Sequence, residues 1–277
     1  MTISGCGKRE PKPLCVIPFA EQPPSLFTNL LCDGVTAENV PDFAALLALR
    51  TRLAKVHPNL RVLTTLDDPD QAAYTSGHGI MKHGLDDTEG HDLSALGPEC
   101  FDDGEHCGFL TTPAEFPIRL ANLKAHAAGT SFDDACGMLY WEGGAEDGPI
   151  FPDTVMFEPD AALWRGNKNE AFVQFVPVDA ASDALAAFPK GYFTCDLTPL
   201  QNYAVARHLE EYHGMALFGV GASYLGFVRD AVLAADEAGA LAADLVKLYQ
   251  EAPEDAASRL ADALTGKDWL LLRYSES

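Results

Sequence analysis

The residues best equipped for chemistry are concentrated between positions 77 and 107. There His78, His83, His91, His106 and Cys107 alternate with Asp86, Asp87, Glu89, Asp92, Asp102, Asp103 and Glu105. Imidazole, thiolate and carboxylate bind divalent metals, and several drawn to one point would hold an ion and acidify its bound water. The chemistry implied is metal-assisted hydrolysis with segment 78–107 as the site. The spacing meets no established ligand template. His78 and His83 are five residues apart, neither the i, i+4 pair of a helical zinc site nor a CxxC. The same residues also suit an exposed acidic loop without a metal. What separates the readings is whether at least three of the five side chains converge.

Two other constellations carry less. Cys195 precedes a capped helix start, where free amides and the helix dipole can lower a thiol pKa. His208 and His213 follow on that helix, roughly 15 Å or more away by helix rise, too far to act as its base. The reading favoured is a buried structural cysteine, with His213 a hydrogen-bonded core or rim residue. Asp133, Asp134 and Glu142 flank Trp141. Paired acids can do acid–base work, but the reading favoured is helix N-terminal charge and a solvated turn.

The elements that position these groups are clearest between 172 and 226. Phe172, Val173, Phe175 and Val176 form an apolar run, residues 192–195 a second short one, and 215–219 and 223–228 two more strand-like runs. Thr198, Pro199 and Gln201 spell a capping box with proline at the first helical position, and Gly214 supplies a stop. Val205, Ala206, Leu209, Tyr212 and His213 share one side of that helix, with Arg207, Glu210 and Glu211 largely opposite.

Upstream, residues 14–19 read as a strand. Phe43, Leu46, Leu47, Arg50, Leu53 and Ala54 mark an amphipathic helix, and 61–66 a second strand, a β-α-β run of the kind that pairs in parallel. From 67 to 108 the pattern dissolves. Phe116, Leu120, Leu123 and Ala127 predict a helix, 132–141 a shorter one ending at Gly143-Gly144, 145–153 a long loop and 154–157 a strand. Leu241, Leu245 and Leu248 mark another helix, Pro253 opens one through Leu264, and 269–274 is an apolar closing strand suited to a sheet edge. The fold class is α+β (mixed α/β). A flexible tail (1–13) precedes an N-terminal α/β region (14–168) that contains the acidic His-rich loop 67–108, and a compact C-terminal α+β domain (169–277) follows a border near Lys168.

A chain of 277 residues with 47% hydrophobic content supports a real core. Its 19 basic and 41 acidic residues give a net charge of −22, which disfavours nucleic acid and anionic membranes and permits a basic partner. Seven scattered cysteines without a CxxC fit a reducing cytoplasm. The apolar residues after Lys8, Arg9 and Lys12 are broken by Pro18, too short a run for a signal sequence or a membrane span.

Several short motifs lie in the last hundred or so residues. They are Val176-Pro177 with Asp179, Asp183-Ala184-Leu185, and Leu209-Glu210-Glu211-Tyr212-His213-Gly214 before an apolar strand containing Gly219. Ala240-Leu241-Ala242, Tyr249 four residues before Pro253, Leu260-Ala261 and Trp269 complete the set. This part resembles an uncharacterised bacterial domain-of-unknown-function family. The resemblance implies a compact α+β domain and no reaction or catalytic residue. Where the family has a Phe-Cys-Pro-Asp run, this chain has Glu251-Ala252-Pro253-Glu254, so no role resting on that cysteine or aspartate carries over.

The expectation is therefore a non-catalytic binding protein whose partner is a basic protein or a small ligand. The alternative is a metal-dependent hydrolase built on His78, His83, His91, His106 and Cys107, with a divalent metal as cofactor.

Overall fold

Strands drawn from both ends of the chain interleave in one mixed sheet. The computed structural model describes residues 12–23, 30–142, 151–163 and 169–275. The tail up to residue 11, the Gly143-Gly144 stop, most of loop 145–153 and the border at Lys168 lie outside the described residues.

In chain order the first elements are β1 (Cys15–Pro18), β2 (Gly34–Glu38), α1 (Phe43–Val56), β3 (Arg61–Thr65) and α2 (Pro69–Lys82). A small hairpin of β4 (Phe101–Asp102) and β5 (Glu105–His106) follows, then α3 (Phe116–His126), β6 (Leu139–Tyr140), α4 (Thr154–Phe157), α5 (Pro159–Leu163) and β7 (Ala171–Val176). The chain continues as α6 (Pro199–His213), β8 (Ala216–Val220), β9 (Tyr224–Val228), α7 (Ala235–Lys247), β10 (Tyr249–Gln250), α8 (Ala256–Leu264) and β11 (Trp269–Arg273).

The main sheet runs β1-β2-β7-β3-β8-β9-β11. β7 lies antiparallel to both β2 and β3. The expected parallel β-α-β run of strand 14–19, α1 and β3 is corrected: β1 and β3 are antiparallel, with β2 and β7 between them, and it is β2, a strand with no apolar run to announce it, that lies parallel to β3 across β7. The parallel pair is β3 with β8. The two halves of the sequence share this sheet, with strands from either side of residue 168 alternating at its centre.

β7 occupies that centre because its apolar residues suit burial on both faces. Its one polar residue, Gln174, is buried and accepts the Cys32 N–H through Oε1 at 3.1 Å. α1 packs on β3, α6 on β8, and α7 against α8. β11 closes one edge. The Leu271 N–H points at Met156 Sδ (3.3 Å), and the Arg273 guanidinium donates to the carbonyls of Tyr140 and Trp141. These contacts cover an edge that would otherwise offer unpaired amides.

Four local expectations are corrected. The dissolved pattern after residue 67 contains α2, capped by Asp68, whose carboxylate accepts the Gln71 N–H, with Pro69 in the first turn. Its buried face is Ala72, Thr75, Ser76, Gly79 and Ile80, mostly small or polar, so no hydrophobic stripe announces it. Residues 154–157 form α4 rather than a strand. The expected helix over 132–141 shortens to a 3₁₀ turn, Phe132–Ala135, followed by β6, which pairs in parallel with β10. Residues 192–195 form a turn because Asp196 gathers the amides of Tyr192 (3.1 Å) and Phe193 (3.0 Å) on one carboxylate oxygen.

α6 carries its expected cap. Thr198 Oγ1 accepts the Gln201 N–H at 3.3 Å, Gln201 Oε1 accepts the Thr198 N–H at 2.9 Å, and Gly214 ends the helix at φ +65°. The buried face stops at Leu209. Tyr212, expected on it, is 68% exposed, and the last turn of the helix borders a cleft instead.

Candidate functional site

The five side chains of segment 78–107 are held apart, each by a different neighbour. His78 on α2 stacks on Tyr192 at 4.7 Å between ring centres and meets Tyr74 edge-on at 4.4 Å. His83 caps α2, and its carbonyl accepts from His126 Nδ1 at 2.9 Å. His91 Nε2 donates to Asn122 Oδ1 (2.8 Å), His106 Nε2 donates to Glu115 Oε1 (2.7 Å), and the Cys107 N–H donates to the Cys100 carbonyl (3.0 Å). Among the described residues, no three of these five reach ligand distance of one another. The convergence that a hydrolytic metal site in this segment requires is not met.

The polar groups here serve structure. Glu115, fully buried, accepts from His106, from the amides of Thr111 and Thr112 and from the Thr112 hydroxyl. Burial pushes its carboxyl up, but these donors outweigh it and hold the group below the usual carboxylate range. Cys195 is exposed rather than buried as expected, because residues 192–195 form a surface turn before α6 instead of an apolar run into the core. Asp134 caps the 3₁₀ turn by accepting from the Ser131 amide (2.8 Å) and hydroxyl (2.7 Å), the structural alternative weighed for it.

A different group does converge, where α6 meets α7. Asp244 Oδ2 accepts from His208 Nε2 at 2.7 Å and from His213 Nε2 at 2.9 Å, while Oδ1 accepts from Lys247 Nζ at 2.7 Å. Among the described residues this is the one trio of His, Cys, Asp or Glu side chains whose ligand atoms all lie within 4.8 Å of one another.

The sequence builds the trio from ordinary helix geometry. His208 and His213 are five apart, which leaves them on adjoining faces of α6, and Gly214 ends the helix just beyond. Asp244 and Lys247 are three apart on α7, so both reach the same side. Phe132 fixes the His208 ring by lying flat against it, 4.0 Å between centres and 17° between planes. Burial pushes the Asp244 carboxyl up, but bonds from Lys247, His208 and His213 outweigh it and hold it far below its ordinary value.

Of the trio, His208 lines a cleft of about 430 Å³, as does Lys247. The cleft wall includes Ala128, Thr130, Ser131, Phe132 and Asp133 on one side and Ala204, Arg207, His208, Glu211, Tyr212 and Lys247 on the other. Cations, carboxylates, hydroxyls and two aromatic rings thus face one space, a mixture able to orient a polar ligand.

His208 and His213 are visible in the sequence as a spaced pair on a capped helix, but Asp244 and Lys247 are not. The only sequence signal for them is an acid and a lysine on the polar side of α7, which any solvated helix shows. A second buried pair, Lys190 and Asp67, lies away from this cleft and lines none of it.

Comparison with protein-family models, with curated proteins and with solved structures finds no match to this chain.

Proposed function

We propose that the protein works by binding, without a reaction of its own, and that the cleft between α6, α7 and residues 128–133 is its ligand site. The observation that carries this reading is the convergence of Arg207, Lys247, Asp133, Glu211 and His208 on one cleft, a set of polar groups of both signs that can orient a small polar ligand. Two basic and two acidic side chains line the same cavity as His208, Thr130, Ser131 and Tyr212. A volume of about 430 Å³ suits a small molecule rather than a protein segment, which favours a small polar ligand over a basic protein partner. No helix of the described residues is long and apolar enough to cross a membrane. Scattered cysteines, odd in number, support a reducing cytoplasmic setting.

The test is ligand-observed NMR with phosphate, citrate, glutamate and adenosine monophosphate, run on the wild-type chain and on Ala128→Trp. Ala128 is exposed on the cleft wall, so the indole fills the cavity without entering the core. At least one of the four should bind the wild type and lose binding in the variant. Binding that survives Ala128→Trp, or no binding by any of them, would sink the proposal.

A further inference from the structure

We infer that His208, His213 and Asp244 form a binding site for one divalent transition-metal ion of the zinc type beside the cleft, which His208 lines. The inference rests on the reading of that cleft as the ligand site and names the ion as the first thing it holds.

The donor set is two imidazole nitrogens and one carboxylate oxygen. That combination suits zinc, nickel or copper, whereas magnesium and calcium take oxygen ligands. The geometry is a contracted version of what such an ion needs. Ligand atoms around tetrahedral zinc sit roughly 3.3 Å apart, given bonds of about 2.0–2.1 Å. The nitrogens here are 2.7 and 2.9 Å from the shared Asp244 oxygen. A separation of about half an ångström would admit the ion, which side-chain rotation supplies without moving either helix. Both imidazoles now donate through Nε2. On binding, each would present its Nε2 lone pair to the metal and carry its proton on Nδ1.

Access and support are also present. The side chains of His208, His213 and Asp244 are 20, 10 and 19% exposed, neither sealed in the core nor splayed into water. Two helices carry the three ligands, and the Phe132 ring braces His208, so the site stands on rigid elements. The cleft leaves room for water or a small anionic ligand to complete the coordination.

Lys247 discriminates this reading from a purely structural one. If Asp244 only ties α6 to α7, Lys247, its neighbour on α7, merely balances the carboxylate charge. If the trio holds a metal, the Lys247 ammonium on Oδ1 opposes the incoming dication, so removing that charge strengthens binding, roughly tenfold at this range.

The experiment is a titration of the full, untagged chain with zinc chloride against a chromophoric chelator, with long-range ¹H–¹⁵N spectra of the imidazoles. The expected result is one equivalent bound at micromolar affinity or tighter, with His208 and His213 changing tautomer. His213→Gln and Asp244→Asn should each weaken binding at least tenfold, Lys247→Gln should tighten it, and His91→Gln should leave it unchanged. Melting curves establish that each variant is folded, and His208→Gln substitutes for any that is not. Absence of zinc binding by the wild type, or zinc binding that persists in the ligand variants, overturns the inference. If zinc fails while a small ligand still binds and is blocked by Ala128→Trp, the metal falls and the cleft stands. If zinc binds as described but none of the four small molecules does, the ion stands and the small-ligand reading falls.

Discussion

Arg119 grips Asp86 at two points, Nε to Oδ1 at 2.6 Å and Nη2 to Oδ2 at 3.0 Å, with only 2% of the arginine side chain exposed. The Leu110 N–H donates to the same carboxylate at 3.1 Å. One aspartate of the acidic segment therefore ties it to α3 and to the Leu110 amide, while Asp87, Glu89, Asp92, Asp102, Asp103 and Glu105 stay exposed, as expected of an acidic loop. Replacing Asp86 by Ala would leave a buried guanidinium without its countercharge, at a cost of about 3–5 kcal/mol. Urea unfolding measures the loss. Arg119→Met combined with Asp86→Leu should recover most of it, because a buried pair is worth little against apolar packing of similar volume. A single-variant cost under about 1 kcal/mol would show that water reaches Arg119.

Gly191 makes a second point in the fold unforgiving. Its φ is +113°, and a β-carbon there would sit 1.8 Å from the Leu197 carbonyl oxygen. The close approach lets Asn202 on α6 donate to the carbonyls of both Lys190 (2.9 Å) and Leu197 (3.0 Å), which fixes the turn before the helix. Gly191→Ala combines backbone strain with a clash against backbone, for a loss of about 3 kcal/mol or more. Hydrogen exchange at Tyr192 and Phe193 should quicken by a larger factor than exchange in β9. Uniform quickening would place the damage elsewhere.

How much of this was legible from residues alone follows the range of each signal. Thr198, Pro199, Gln201 and Gly214 define α6 within a few positions, so the helix could be read locally and its cap is present. β2 was not readable: Gly34, Val35, Thr36 and Ala37 are all buried, but one glycine and two small residues make no strand-like run. α2 was missed although Asp68-Pro69 is a sound start, because its buried face is built from Ala, Thr, Ser and Gly. The position of β7 between β2 and β3 depends on pairing across more than a hundred residues, which no local pattern encodes. The same holds for the site. The densest run of histidine and acid is spread among separate partners, while Asp244 reaches His208 from 36 residues away.

Met156 covers the exposed side of β11, and it is nearly fully buried. Met156→Ala removes the side chain that faces the Leu271 amide and opens a cavity, at about 2–5 kcal/mol. The uncovered edge should also associate, because a strand with free amides and the residues Leu270, Leu271 and Leu272 is a template for a second copy. Light scattering should rise with concentration in Met156→Ala and stay flat in Met156→Leu, which keeps the volume. Equal scattering in the two variants would mean that the edge is guarded by other contacts, such as those of Arg273.

Lys190 and Asp67 set a pH dependence of stability whose sign can be worked out. Lys190 has no exposed surface, and its Nζ donates to the Ala72 carbonyl and the Thr75 hydroxyl of α2. Burial pushes the ammonium down to about 7, only partly offset by the field of Asp67. Burial likewise pushes Asp67 up to about 6, against donors from Ser223 that include its amide at 3.0 Å. An unfolded aspartate titrates near about 4, so between there and pH 6 the native state holds a proton the unfolded chain has lost, and stability falls as pH rises. An unfolded lysine titrates near about 10.4, so from pH 7 to there the unfolded chain holds the extra proton, and stability rises with pH. The pair thus contributes a minimum near pH 6–7. In Lys190→Met the alkaline rise disappears, and in Asp67→Asn the acid-side fall does. Unfolding free energies from urea at pH 5, 6.5 and 8.5 provide the check: a wild type and a Lys190→Met variant with the same slope between pH 6.5 and 8.5 would show that Lys190 stays charged in the fold.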